Sequence, residues 1–304
     1  MTNQPAQKRW ATAWIGLVAM WLVGLVAAEP AMRVTALHPL MADLAGKVGG
    51  TRVEVIDLVG EDRNPHHLEL RPSDMQMIQS SALVLAAGKG METSLGALRD
   101  TLGADGPEVV EVGRKIPSLR VGDESIYACC PTHGAGGVDP HWWHSIGHTE
   151  RAARIVAAAF GKVDPAGKAE YKKNAAKYAA ELRQLKAWAS KQLAVVPRDK
   201  RKLVTAHTAF GYFAKEFGFE VVAVQGLNPE QDATAKDLAA ASKILREEGV
   251  AAVFPERGGR NKGVISLQRE TGVKLGEPLI ADGASSFVAM IRHNVEAIAD
   301  GLGE

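Results

Sequence analysis

Apolar and polar positions alternate in blocks along the chain, and from Met32 onward the blocks read as strands and helices in turn. Arg33-Val34-Thr35-Ala36-Leu37 forms a short apolar strand, residues 39–48 predict a helix, and residues 53–59 predict a second strand. Met75, Ile78 and Gln79 place an amphipathic helix over 71–80. The run 82–87 is apolar at every position, the pattern of a strand covered on both faces of a parallel sheet. After a Gly-rich loop over 114–140, residues 149–160 are Ala-rich and helical. Alternation of this kind predicts βα units with helices packed on both sheet faces.

Asp164-Pro165 reads as a helix N-cap followed by proline at the first helical position. From there to residue 193 no further proline occurs and the only glycine is Gly167. The expected helix has about 28 residues and a length of roughly 42 Å at ~1.5 Å per residue, long enough to act as a strut between two lobes. Strands are then expected at 203–206, 220–224 and 250–254, with helices at 209–217, 234–248, 261–270 and 287–302. The fold class is α/β: two lobes of alternating βα units, mostly parallel sheets, joined by one long rigid helix. The boundaries are a leader at 1–28, a first lobe at 29–163, the linking helix at 164–195 and a second lobe at 196–304.

Residues 1–28 follow a different pattern. A polar start leads to Lys8-Arg9, then an apolar stretch, then Val26-Ala27-Ala28. These are the charged, apolar and small-residue parts of a secretory signal peptide, which predicts export to the periplasm. An uncleaved anchor is the competing reading, because the apolar-biased stretch approaches the ~20 residues needed to span a bilayer. No cysteine sits at the exit, so no lipid anchor is expected at that point.

Composition narrows the function. At 304 residues, with 46% hydrophobic and 23% charged positions, the chain has the balance of an ordinary globular protein of about two domains. Setting Lys8 and Arg9 aside leaves 34 basic against 35 acidic residues. A nearly neutral body lacks the basic face that phosphate backbones require, so nucleic acid is not expected as a partner. The two cysteines, Cys129 and Cys130, are adjacent and cannot build a disulfide framework.

The chain has nine histidines, and three of them fall at strand ends or in loops feeding one sheet edge. His66 lies in Asn64-Pro65-His66-His67-Leu68-Glu69, His141 in Asp139-Pro140-His141-Trp142-Trp143, and His207 directly follows the strand at 203–206. Asp282 follows the strand-like run 278–281. In open α/β sheets this carboxyl-end edge is where ligands bind. A proline before His66 and before His141 restrains the backbone and pre-organises the imidazole. Three imidazoles and a carboxylate suit a four-coordinate, borderline-soft ion, with Zn²⁺ the default.

These elements together resemble the zinc- and manganese-binding solute-binding proteins of bacterial ABC importers, the ZnuA/TroA type (cluster A-I). The resemblance rests on His38-Pro39-Leu40 with Gly49-Gly50, Pro65-His66-His67-Leu68-Glu69 with Pro72-Ser73-Asp74, and Asp139-Pro140-His141-Trp142-Trp143. It continues through His207-Thr208-Ala209-Phe210-Gly211-Tyr212-Phe213, Phe254-Pro255-Glu256, Glu270-Thr271-Gly272-Val273 and Ala281-Asp282-Gly283. It implies two α/β lobes around one rigid helix, a metal held in the cleft by His66, His141, His207 and Asp282, and no enzymatic activity. The implied partners are an ABC permease in the cytoplasmic membrane with its ATPase, and a zinc chaperone; the protein itself is expected to be a monomer. Manganese members tend to carry glutamate where this chain has His207, and imidazole in its place shifts preference toward Zn²⁺. The same fold binding Mn²⁺ or Fe²⁺, and a metal-dependent surface adhesin, are the alternatives. A secreted zinc hydrolase is disfavoured, because no His-Glu-x-x-His pair is present and a fourth protein ligand would close the shell.

Glu69 and Glu256 are candidate acceptors for ligand N–H groups. Asn64 and Leu68 depart from the aspartate and the aromatic usual in the family. In place of a long His- and acid-rich insert before His141, this chain has Tyr127-Ala128-Cys129-Cys130-Pro131-Thr132-His133-Gly134. Cys129 and Cys130 could form a strained vicinal disulfide in an oxidising compartment, or the thiols with His133 could pass zinc toward the cleft. His67 and His144 read as polar surface beside the ligands, His148 as a helix cap and His293 as solvent-facing. His38, at the end of the first strand, is expected outside the site, with reach into the cleft as the alternative. The strut should keep the lobes close without metal, so that metal orders local loops.

Overall fold

The computed structural model of the protein describes residues 31–60, 64–122, 126–129, 136–227, 229–230 and 232–303. The expected leader at 1–28 lies outside the described residues, as do Cys130 and His133. The first half contains β1 (Met32–Ala36), α1 (Pro39–Gly49), β2 (Val53–Asp57), α2 (Pro72–Gln79), β3 (Leu83–Ala86), α3 (Leu95–Leu102) and β4 (Glu108–Glu111). Next come β5 (Tyr127–Cys129), α4 (Ile146–Val163) and α5 (Lys168–Gln192). The second half contains β6 (Lys202–Thr205), α6 (Gly211–Phe217), β7 (Glu220–Ala223), α7 (Ala235–Glu247) and β8 (Ala252–Phe254). It ends with α8 (Lys262–Thr271), β9 (Lys274–Leu275) and α9 (Phe287–Leu302).

Two parallel sheets form, in the orders β2-β1-β3-β4 and β5-β7-β6-β8-β9, giving the two-lobed α/β fold expected from the alternation. The central strand β3 is buried at all four positions, as its unbroken apolar run requires. One strand departs from the order of the chain: β5 precedes α4 in sequence yet pairs with β7, so the loop before His141 contributes an edge to the second sheet. The strand-like run at 278–281 reduces to a single bridge between Leu279 and Glu256.

The long helix starts later than the Asp-Pro signal suggested. α4 runs through to Val163, with Asp164 as its C-cap. The Asp164 carboxylate accepts hydrogen bonds from the Gly167 N–H at 3.0 Å, the Tyr171 hydroxyl at 2.7 Å and the Arg52 guanidinium at 2.9 Å. It therefore closes a turn between two helices instead of opening one. α5 still spans 25 residues, about 37 Å at ~1.5 Å per residue. Tyr171, Ala175, Tyr178, Leu182, Leu185 and Ala189 are buried at alternating spacings of four and three along one stripe. That stripe lies against α4, against α1 of the first lobe and against α9 of the second. One hydrophobic cluster runs without a break from Val34 and Leu83 through Phe160 and Leu182 to Phe254 and Ile298, so the lobes share a core. Among the described residues no helix is long and apolar enough to cross a membrane.

Candidate metal centre

The loops that carry chemistry leave the carboxyl ends of the strands. Pro65–His67 forms a 3-10 turn in the loop after β2, with Asn64 as its N-cap. Trp142–His144 forms a second such turn, capped by His141. His207 follows β6 by two residues, and Asp282 lies three residues beyond the Leu279 bridge. These four side chains converge, each presenting one ligand-type atom within 4.8 Å of the others. The Nε2 atoms of His66 and His141 are 3.3 Å apart, and those of His207 and His141 are 3.4 Å apart. Asp282 Oδ2 is 3.4 Å from Nε2 of both His66 and His207, and Oδ1 is 3.4 Å from His141 Nε2.

Two of the three rings are held in the same way. Asp139 Oδ1 accepts both the backbone N–H of His141 at 2.9 Å and its ring Nδ1–H at 2.8 Å. Glu256 accepts the backbone N–H of His207 at 2.9 Å and, through its other oxygen, a short bond from its ring Nδ1–H. A carboxylate only accepts, so each Nδ1 carries a proton and each Nε2 is the nitrogen turned inward. Asp139, His141 and His207 are fully buried and Glu256 nearly so. The Asp139 carboxylate is itself fixed by the Tyr127 hydroxyl at 3.0 Å, and Glu256 by the Asn261 amide on its main chain.

His66 is held differently. Its backbone N–H donates to Asn64 Oδ1 at 2.9 Å, and its ring is 7% exposed. Asn64 and Pro65 line a cavity of about 590 Å³ together with Glu230, Glu256, Arg257 and Asp282. The Asn64 amide also donates to Glu230 Oε1 at 3.2 Å, and Arg260 pairs with Glu230 at 2.8 Å. The cavity thus reaches the cluster at Asp282 and Glu256, beside the Asn64–Pro65 segment that leads into His66.

The charges follow this geometry. Burial alone would lower the His207 pKa, but the adjacent Glu256 and Asp282 carboxylates raise it to about 9. Burial lowers the pKa of His66, against the pull of Asp282. Burial opposes ionisation of Asp282, yet His66, His207 and His141 around it hold its carboxyl well below the usual carboxylate range. The metal-free cluster therefore pairs an ionised Asp282 with a His207 that keeps a proton at neutral pH, and a cation bound among the four side chains would take that proton's place.

Two histidines expected at the surface or outside the site are part of its wall. His144 is fully buried, with its ring 4.5 Å from that of Phe210 and its Nε2–H on the Ala281 carbonyl at 3.0 Å. His38 is also fully buried, caps α1 by accepting the Leu40 N–H at 3.1 Å, and lies against Trp143 with ring centres 4.4 Å apart. Burial lowers both pKa values to about 3, so both rings are neutral. His38 Nε2 and His144 Nδ1 are buried without a hydrogen-bond partner among the described residues. Of the other described histidines, His67 is exposed, His148 is not the expected cap but lies inside α4 and donates its N–H to the Ser145 cap, and His293 contacts the Pro278 carbonyl at 2.8 Å.

Of the proposed acceptors, Glu256 lies on His207 while Glu69 is exposed. Asp139, the partner of His141, was missed as a separate role, although an acid two residues before a strand-end histidine is the signal that marks it. The Cys129 backbone lies in β5, and its side chain lies outside the described residues.

Residues 34–301 match the family model described as ZnuA, zinc-uptake complex component A, periplasmic. The manganese-binding lipoprotein MntA of Bacillus subtilis is 31% identical over 289 residues, covering 90% of this chain and 91% of that protein. The high-affinity zinc uptake system protein ZnuA of the same organism is 26% identical over 279 residues, covering 88% and 86% respectively. Among solved structures, the periplasmic zinc-binding protein TroA of Treponema pallidum superposes with a TM-score of 0.80 at 25% identity, over 90% of this chain and all of that one.

Proposed function

The chain belongs to the family of zinc-uptake complex component A proteins, and from that premise we propose that it captures Zn²⁺ outside the cytoplasm and delivers it to an ABC permease. Proteins of this family bind and carry a metal for a transporter and are not enzymes. The observation that supports the reading for this chain is the convergence of His66, His141, His207 and Asp282 at the meeting of the two lobes. Among the three Nε2 atoms and Asp282 Oδ2, four separations are 3.3–3.4 Å. A tetrahedron with metal–ligand bonds of ~2.0–2.1 Å has edges of about 3.3–3.4 Å, the dimension of a zinc site with N and O ligands.

Three imidazoles to one carboxylate favour zinc over the harder Mn²⁺, which prefers oxygen. The two carboxylates on the Nδ1 atoms of His141 and His207 fix the ring orientation and the tautomer that binds metal through Nε2. In this reading the metal enters through the cavity beside Asp282, and the ABC permease with its cytoplasmic ATPase takes it up. The signal-peptide pattern of residues 1–28 supports a periplasmic location, where in this reading a monomer exchanges zinc with the permease and with a zinc chaperone.

Manganese is the second reading. The 31% identity to a manganese-binding relative supports it, as does the approach of both Asp282 oxygens to ring nitrogens, which suits a bidentate carboxylate and a higher coordination number. The two are separated by deleting the gene in its host. Growth lost under zinc chelation and restored by added zinc, but not by manganese, is expected. Restoration by manganese alone would overturn the zinc assignment.

A further inference from the structure

The 3-10 turn after His141 is fixed by three consecutive side chains. The Trp142 Nε1–H donates to the Ala87 carbonyl, just past β3, at 3.0 Å. The Trp143 Nε1–H and the His144 Nε2–H both donate to the Ala281 carbonyl, each at 3.0 Å. The two donors and their acceptor are buried, with Trp143, His144 and Ala281 at 1%, 0% and 4% exposure.

The Ala281 carbonyl belongs to the peptide unit from which Asp282 continues. A carbonyl oxygen has two lone pairs, and here each has its own donor from the first half of the chain. One residue earlier, the buried Asn294 of α9 holds Ile280 on both sides, accepting its N–H and donating to its carbonyl at 2.8 Å each. The backbone leading to Asp282 is therefore tied at Ile280 to the second lobe and at Ala281 to the turn that carries His141. Asp282 Oδ1 stands 3.4 Å from His141 Nε2.

We propose that Trp143 and His144 are positioning residues for Asp282: their paired hydrogen bonds to the Ala281 carbonyl join the two lobes so that His141 and Asp282 are presented to the metal as one preset pair. The proposal rests on the metal-binding reading above. Indole Nε1–H is a donor only, and His144 is not among the residues whose ligand atoms converge, so both residues act through Asp282 and not as ligands. Held in this way, the carboxylate binds without first giving up backbone freedom, which raises affinity by pre-organisation.

The test is a double-mutant cycle on zinc affinity, measured with the full chain by competition against a chromogenic chelator. His144→Phe keeps a ring of similar shape against Phe210, removes the donor, and also removes the unpartnered Nδ1. Alone, it is expected to raise the zinc dissociation constant about tenfold, at the lower end of the ~10–100-fold range for orienting partners of a metal ligand. Trp143→Phe should act in the same direction. In an Asp282→Ala background, where three histidines remain, His144→Phe should change affinity by less than twofold, because the residue it positions is gone. General damage to the fold would instead add the same factor in both backgrounds.

Unchanged affinity on His144→Phe alone, or an equal loss in the Asp282→Ala background, would overturn the positioning role and leave metal binding intact. A wild-type chain that binds neither zinc nor manganese would overturn the functional reading, and this proposal with it.

Discussion

His207 and His66 stand 3.4 Å from the same oxygen of Asp282, yet the protein treats them in opposite ways. His207 is fully buried, its ring and backbone N–H are both taken by Glu256, and its pKa is raised to about 9. His66 sits on a short turn whose preceding residues, Asn64 and Pro65, line the cavity; it is held at its backbone by Asn64, and its pKa is lowered by burial. His141 belongs with His207, because Asp139 holds it through the same two donors. The contrast separates two tasks within one cluster. On the proposed metal-binding reading, the carboxylate-held rings would form a fixed floor already in place before metal arrives, and His66 would be the more easily displaced ligand.

The largest effect should come from the floor. His207→Ala and His141→Ala are each expected to weaken zinc by more than about a hundredfold, above the range for loss of an outer partner, and by more than His66→Ala. Competition titration of the three variants checks this order, and an equal loss at His66 would remove the distinction between it and the floor. Next in size are the partners themselves. Glu256→Gln and Asp139→Asn should each cost about 10–100-fold in zinc affinity, measured in the same way, because a neutral amide accepts the ring Nδ1–H less strongly than a carboxylate does.

The titration of the metal-free protein sharpens the comparison from a different side. His38 and His144 have folded pKa values of about 3 against about 6.5 when unfolded. Their stabilising contribution is complete above pH 6.5 and is lost as the pH falls from there toward 3, because the unfolded chain takes up protons first. Each such ring contributes a slope approaching about 1.4 kcal/mol per pH unit below pH 6.5. His207 has the opposite sign. Raised to about 9, its contribution is present below pH 6.5 and lost as pH rises through 9. Denaturant unfolding of metal-free protein should therefore show stability falling between pH 6.5 and 5, and again between pH 7 and 9. A flat profile across both windows would contradict the burial of these rings in neutral and charged forms.

The smallest effect concerns the segment that leads into His66. Asn64 is matched to its place, since an amide accepts the His66 N–H and donates to Glu230 at once. Asn64→Asp keeps the first bond and sets a carboxylate against Glu230. The Asn64–Glu230 contact is exposed, so only a severalfold faster release of zinc is expected, read by stopped-flow mixing with a chelator. Glu230→Gln in the same chain should reverse it; release that stays fast in the double variant would show that the bond to Glu230 plays no part.

Much of the architecture was legible because buried parallel strands leave unbroken apolar runs, as at 82–87, and because helices between them keep a face. The four residues that converge were legible for a related reason: strand ends and a preceding proline mark positions where a side chain is both fixed and unpaired within its own element. What escaped depended on partners distant in sequence. His144 looks polar beside Trp143 in the sequence, and only Phe210 and the Ala281 carbonyl, brought from the other lobe, make it a buried neutral ring. Asp164 carried a strong helix-start signal that Arg52 and Tyr171 redirect into a turn. β5 was hidden because an edge strand of three residues has too short a pattern to stand out from its loop.

The central claim is that three imidazoles and one carboxylate select zinc. The most direct test is the metal content, by elemental mass spectrometry, of the untagged chain from residue 29 onward, purified from medium equimolar in zinc, manganese and iron. About one zinc per chain, lost in His207→Ala, is expected. Manganese or iron in its place would keep the fold and the site but contradict the argument from ligand chemistry.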